Sequence, residues 1–549
     1  MKKNWALYLL FTAFSAVVVL SNQNDWDHFL SFFEVELRSW LVDHQPPLWT
    51  YQLCAGVTRL GDPQAFGLSP LFIPVLLLGS FWGAKALLLG CAFLAIIYLN
   101  RIFLLLAPAS VDPRVALSLS AFFLFGNYFV WHLHAGHLTF ALVLFSLVPA
   151  FYLLRGFSRG LNGREGGALV LSAFCYCTAG FYHSAVFFVL PLIGIFFTML
   201  LFLRPTLAAE TLKRVAGTLV LFAFALVLSA YKWFSVLRYQ DMFPRRLQEV
   251  LDESTPAGQA LARFFLPTFH FRYLGLIEDW GPWAVYEDSV FSFLPWALIA
   301  LLVAAVISKE KVDWRRTWAG PLGFCFFITL LFCVGNISAF SPVFWLNKFF
   351  LSNSLRVVAR FQVVLLFLLA IFLLRYLALH LRARDFYLKW LMPVGYLVTF
   401  LSMLTFVPLL NWDETQQSSS IAAAEMNRLY PVRSRDTSLV SHSYMYEAVN
   451  KNRIVPNCYQ PLGRYVRIGH ERWRSSVLPA PVGGEIDLLA PGKNGVSEEC
   501  RRSAFVTQNE VRFNRSACPE DLCFHLNMLN PHRPENLLWN EQRRLYCIK

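Results

Sequence analysis

Asp25 and Asp27 stand in the stretch NDWDHF, a few residues past a wholly apolar run over 5–20. Acids so close to the end of a membrane-length segment cost free energy unless a partner or a reaction needs them. Two chemistries suit them. The acid-x-acid spacing resembles the metal site of nucleotide-sugar enzymes, whose donors are cytoplasmic. On a helix, however, residues two apart point in nearly opposite directions. One acid acting as general base, with the other as helper, therefore fits the spacing better than a tight metal pair. A solvated loop start is the plain alternative.

Three histidines, His132, His134 and His137, crowd the stretch HLHAGH. They invite a zinc reading, but their spacing does not converge on one helix face and no fourth ligand is evident. Polar anchors at a membrane interface account for them, and no metal is assigned. Lys232, Arg356 and Arg360 are cations at the ends of apolar runs. Arg356 and Arg360 are four apart and share a helix side. They read either as a phosphate clamp or as side chains snorkelling to lipid headgroups. Glu287 and Asp288, in WAVYEDSVF, precede another apolar run and read as hydroxyl ligands or as solvated acids. His137 and Glu287 join the three cations as candidate substrate-binding residues.

The elements that would carry these residues follow from hydropathy. The chain is 549 residues long, 56% hydrophobic and only 15% charged, too little charge for a soluble protein of this size. Apolar runs recur up to residue 410. Eleven predicted spans cover roughly 5–20, 84–106, 115–130, 138–154, 168–182, 185–203, 215–230, 293–307, 322–334, 357–374 and 390–410. The segment 71–78 is too short to cross and reads as a dipping piece. The first run could also be a secretory signal, but no small-x-small cleavage site ends it, so a retained span is expected.

The net charge of +13 is better explained by topology than by nucleic acid. Lys and Arg concentrate in alternate loops: Lys2 and Lys3, Arg101 and Arg114, Arg155 to Arg164, Arg204 to Arg214, Lys309 to Arg316, and Arg375 to Lys389. That is the positive-inside pattern. It puts the N-terminus in the cytoplasm and the C-terminal tail outside. The long loops 21–69 and 231–292 then share the outer face with the tail, and long loops on one face are where function is expected.

Within the first of these loops, Phe29, Phe32, Phe33, Leu37, Trp40 and Leu41 recur at helical spacing, with Ser31, Glu34, Arg38 and Asp43 largely between them. The pattern predicts an amphipathic helix lying in the headgroup layer, stopped by Pro46 and Pro47. The tail, 411–549, alternates in short runs such as GRYVRIGH and AFVTQNEVRFN. It predicts a small extramembrane, mostly-β domain beside the 1–410 membrane domain. Its cysteines, Cys458, Cys500, Cys518, Cys523 and Cys547, together with Cys54, favour disulfides outside the cytoplasm, with no pairing fixed by sequence.

The run from NDWDHF through QPPLWTYQLCAGVTRLGDPQAFGLSP resembles the first outer loop of GT-C-type membrane glycosyltransferases, closest to their YfhO-like bacterial branch. The matching pieces are Asp25, the helix over 29–41, Pro47-Leu48-Trp49, Gly56, Pro63-Gln64 and Ser69-Pro70. AGHL at 135–138, WAVYEDSVFSFLP and SLRVVARF at 354–361 also resemble that branch. Cys54-Ala55-Gly56 departs from it, standing where relatives tend to carry two glycines. The resemblance implies a bacterial inner-membrane enzyme that moves a sugar from a polyprenyl-phosphate donor to a cell-envelope acceptor on the outer face. It also implies Asp25 as catalytic base, favoured over Asp27 by spacing back from Trp49. No cofactor is assigned, and the acid pair leaves room for a divalent metal. The residues fit independently: a lipid phosphate is already a good leaving group, so one base and cations on the phosphate suffice. The rivals are a lipid-linked sugar transporter or flippase, which should carry ionisable residues deep in its spans, and a non-catalytic envelope scaffold.

Overall fold

The computed structural model describes residues 5–21, 26–50, 57–108, 110–134, 136–180, 189–203, 209–242, 265, 291–309, 319–333, 342, 344–345, 361–404 and 406, with short strand segments between 465 and 548. The chain is a helical membrane protein. Its helices are α1 (Trp5–Leu20), α2 (Trp26–Leu41), α3 (Ile73–Leu106), α4 (Pro113–Leu124), α5 (Asn127–His134), α6 (Phe140–Phe145), α7 (Leu147–Arg159), α8 (Gly163–Thr178), α9 (Leu190–Leu203), α10 (Ala209–Leu228), α11 (Ala230–Met242), α12 (Leu294–Ile307), α13 (Ala319–Cys333), α14 (Gln362–Leu379), α15 (Leu381–Phe386) and α16 (Met392–Leu404). Each of the eleven expected spans overlaps one of them. Among the described residues five helices are long and apolar enough to cross a bilayer, or six if the bent pair α4–α5 is one span. Helices α1, α12 and α13 are apolar but shorter.

α14 is apolar all round and buried along most of its length, the signature of a central helix. It packs against α4, α12 and α13. α10 is its opposite: Leu219, Val220, Phe224, Val227 and Leu228 are exposed, as expected of a face turned to lipid. Local signals set several starts. Asn162 and Glu165 form a reciprocal capping box on α8. Asp112 accepts the Arg114 amide at the start of α4, with Pro113 in its first turn.

α3 is not one straight rod. Gly79 sits at φ 79, ψ 170, a backbone state that a side chain strongly disfavours. A Cβ on Gly83 would lie 2.3 Å from the Val75 Cα, whereas residues eight apart in a straight helix are about 12 Å apart. The first turns, 73–78, therefore fold back on the start of the long helix over 80–106. That separates the expected dipping segment from the span that follows.

Helix α2 forms where expected but not on a surface. Phe29 through Leu37 are all buried, Ser31 and Glu34 included. A headgroup-layer helix would show its polar face to water. Here that face is covered because its carboxylates have partners within the protein.

In the tail the backbone forms short antiparallel ladders, Tyr465–Ile468 with Glu471–Arg474 and Phe505–Val506 with Val511–Arg512. A three-stranded ladder places Leu545–Ile548 between Cys523–Phe524 and Leu537–Asn540. Its register sets Cys523 opposite Cys547.

Candidate functional site

Two clusters of buried polar side chains meet around α2. The first closes the loop that follows it. Arg59 bridges Glu36 of α2, at 2.6 Å, and Asp62, and its guanidinium lies 4.3 Å from the centre of the Phe32 ring. The remaining Glu36 oxygen accepts the Phe66 amide at 3.2 Å, and Asp62 accepts the Gln64 amide at 2.8 Å. Lys232, in the first turn of α11, donates to the carbonyls of Asp62 (2.7 Å) and Arg59 (3.3 Å). The set is two acids and two cations, and all four are buried. Burial pushes the Glu36 carboxyl up despite the pull of Arg59. It pulls the Lys232 ammonium down to about 8 against the attraction of Asp62 and Glu36.

Backbone contacts brace the same loop. Ser69 donates to the Cys175 carbonyl at 2.7 Å, and the Trp40 indole donates to the Gly67 carbonyl at 2.8 Å. Gly180, at φ 79, allows the Pro63 carbonyl to approach so closely that a Cβ would stand 1.9 Å from its oxygen. Residues 59–69 are thus wedged between α2, α8 and α11.

The second cluster holds the junction between α1 and α2. The Ser21 hydroxyl is 3.0 Å from Nδ1 of His134, and the Trp26 indole donates to the His134 carbonyl at 3.2 Å. Lys85 of α3 donates to the carbonyls of Val19 and Ser21, the latter at 2.9 Å. A cation there offsets the free carbonyls that end α1. Its ammonium is enclosed by the rings of Phe81 (4.5 Å), Trp26 (5.1 Å) and Trp82 (5.9 Å). One helical turn away, Ser80 donates to Glu34 at 2.7 Å.

The sequence candidates fall unevenly on this frame. Asp25, Glu287, Arg356 and Arg360 lie outside the described residues, and Asp27 is described only as backbone in the first turn of α2. His137 is half-buried with Nδ1 2.8 Å from that of His132, and its ring packs with Phe140 and Trp131. His134 faces Ser21 instead, so the three histidines do not converge. Among the described residues no group of three or more His, Cys, Asp or Glu is placed to hold a metal. Lys232, expected at the membrane surface, is buried with its ammonium engaged by carbonyls. Lys85, Arg59, Glu36 and Asp62 were not singled out by sequence. The available signal was a lysine inside an apolar run, since such a charge needs a partner.

Compared with protein families, curated proteins and solved structures, the chain finds no match in any of the three.

Proposed function

We propose that this chain is a GT-C-like membrane glycosyltransferase that moves a sugar from a polyprenyl-phosphate donor to a cell-envelope acceptor on the outer face of a bacterial inner membrane. In this reading the chain threads the bilayer eleven times. The loops 21–69 and 231–292 and a mostly-β tail lie outside. Asp25 takes the proton of the acceptor hydroxyl, with Asp27 as helper. Arg356 and Arg360 neutralise the departing lipid phosphate, for which the planar guanidinium fork is suited. Lys232 serves them from behind by holding the loop over 59–62. His137 and Glu287 contact the sugar or acceptor.

The observation that carries the reading is the bracing of the α1–α2 junction. The residues on either side of the acid-bearing stretch, Ser21 and Trp26, are both tied to His134 and Lys85. Such support suits a base, because proton transfer depends on a fixed distance. The transporter alternative calls for ionisable groups along a path through the spans. The buried lysine in α3 instead binds carbonyls at the end of α1.

The test is Asp25→Asn in the full chain, in nanodiscs, with a panel of polyprenyl-phosphate hexoses and release of polyprenyl phosphate as readout. The variant should insert normally and lose on the order of 10²-fold or more in rate, and Asp27→Asn should lose less. Equal rates for Asp25→Asn and the parent would remove the base assignment.

A further inference from the structure

We infer that Cys523 and Cys547 form a disulfide that fastens one edge of the tail's three-stranded ladder to its central strand. The inference rests on the reading above that the tail lies outside the cytoplasm, because a disulfide persists in an oxidising compartment.

Backbone register carries it. Leu545–Ile548 pairs with Cys523–Phe524 on one side and with Leu537–Asn540 on the other, antiparallel to both. Cys523 stands directly opposite Cys547. Opposed residues in an antiparallel pair share a face of the sheet, and their Cα atoms are about 4.5 or about 5.5 Å apart, depending on where the ladder bonds fall. A disulfide spans Cα separations of about 4.4–6.8 Å. Both spacings fall inside that range, so the bond asks for no movement of the backbone. A register slipped by one residue would put the two cysteines on opposite faces. Among the described residues they are the only cysteines in strands. The cysteines of the described helices, Cys91, Cys175, Cys177, Cys325 and Cys333, are buried and free.

Strand length supplies the reason for such a bond. Cys523–Phe524 is a strand of two residues, and so short a ladder adds little stability by itself. Phe524 opposes Tyr546, and Tyr546 opposes Trp539. Aromatic residues thus cross one face of the sheet, while Cys523, Cys547 and Leu538 share the other. A bond between the cysteines closes the segment 524–546, and restricting that segment in the unfolded chain favours the paired state. Forming it takes two protons and two electrons from the two thiols. A thiol–disulfide oxidoreductase of the outer face accepts them. One cysteine thiolate attacks the carrier's disulfide, the other displaces the resulting mixed disulfide, and the carrier leaves as a dithiol.

The experiment uses the full chain in the membrane of an expressing bacterium. Free thiols are alkylated with N-ethylmaleimide before solubilisation, and the unreduced protein is cut with trypsin and a Glu-specific protease. Cleavage after Glu520 parts Cys518 from Cys523, and cleavage after Arg544 isolates 545–549 with Cys547. Mass spectrometry should find the Cys523 and Cys547 peptides joined in most chains and parted by dithiothreitol. Reduction should speed amide hydrogen exchange over 545–548 about 10-fold. Cys523→Ser should leave the Cys547 thiol open to alkylation, and a Cys547 still bonded in that variant would overturn the inference. The measurement on the parent needs no variant to fold. A bond there from either cysteine to Cys54, Cys458, Cys500 or Cys518 would overturn the inference, and so would two free thiols. In the last case a membrane-impermeant maleimide on spheroplasts separates the causes. Labelling of Cys547 from outside sinks the pairing and keeps the tail's placement, whereas labelling only after permeabilisation sinks the placement as well.

Discussion

The loop over 59–69 and the turns at 112–114 and 210–214 both carry ion pairs, and the two sets behave differently. Arg59, Glu36 and Asp62 have fully buried side chains. The Arg114 side chain is 63% exposed beside Asp112, and Glu210 is 74% exposed beside Arg214. These two exposed pairs each lie in one turn of one helix or at its cap, and each could be lost without rearranging the fold. The buried set joins α2, the following loop and α11. Desolvation makes such a set a weak source of net stability but a strong penalty when one member is removed. In this comparison the costly charges stand where segments distant in sequence are held in register, and the inexpensive ones where a helix starts.

The largest break in that comparison is expected from Arg59→Met. It leaves two buried carboxylates facing each other and should destabilise the protein by about 3–5 kcal/mol, measured by denaturant-driven unfolding in detergent. A loss below about 1 kcal/mol would mean the network is solvated. Gly180→Ala should cost about 2 kcal/mol, since its φ is disfavoured and the Pro63 carbonyl occupies the Cβ position. The same substitution at Gly167, where nothing lies within 4 Å of the Cβ position, should cost nothing and serves as the control.

Lys232 sharpens the comparison through pH. Its folded-state pKa, about 8, lies below the ordinary 10.5. Between those values the unfolded chain binds more protons, so this lysine adds stability as pH rises through the window. The penalty for burying its charge is complete below about pH 8. The melting temperature of the parent, relative to Lys232→Met, should therefore rise from pH 8 to pH 10, and a flat difference would show that Lys232 is not desolvated. Smallest is Arg114→Ala. The exposed pair it breaks should contribute under about 1 kcal/mol and fade with added salt.

The helices were legible because their causes are local. Apolar runs of span length mark α3, α10 and α14. Asn162 with Glu165 and Asp112 with Pro113 mark two starts. The short piece before Gly79 was legible as a segment too brief to cross. What failed was the reading of α2 as a surface helix. Period and composition report which face of a helix is polar, not what covers it, and Glu34 and Glu36 are covered by Ser80 and Arg59. Lys232 reads as a surface cation from its place past an apolar run, and its burial was not legible because its partners are carbonyl oxygens of a loop far along the chain.

By itself, then, the sequence determined a helical membrane body, the places where several helices begin or break, and acids beside the end of the first apolar run. Only the tertiary structure decided which charges are buried. Glu36 and Arg59 are 23 residues apart and Lys232 and Asp62 are 170 apart. A charge reads as solvent-facing until its partner is known, and a partner that far along the chain is found only when the fold brings it there. His134 meeting Ser21 across 113 residues is the same case, because the hydrogen bond exists only once α5 lies against the end of α1.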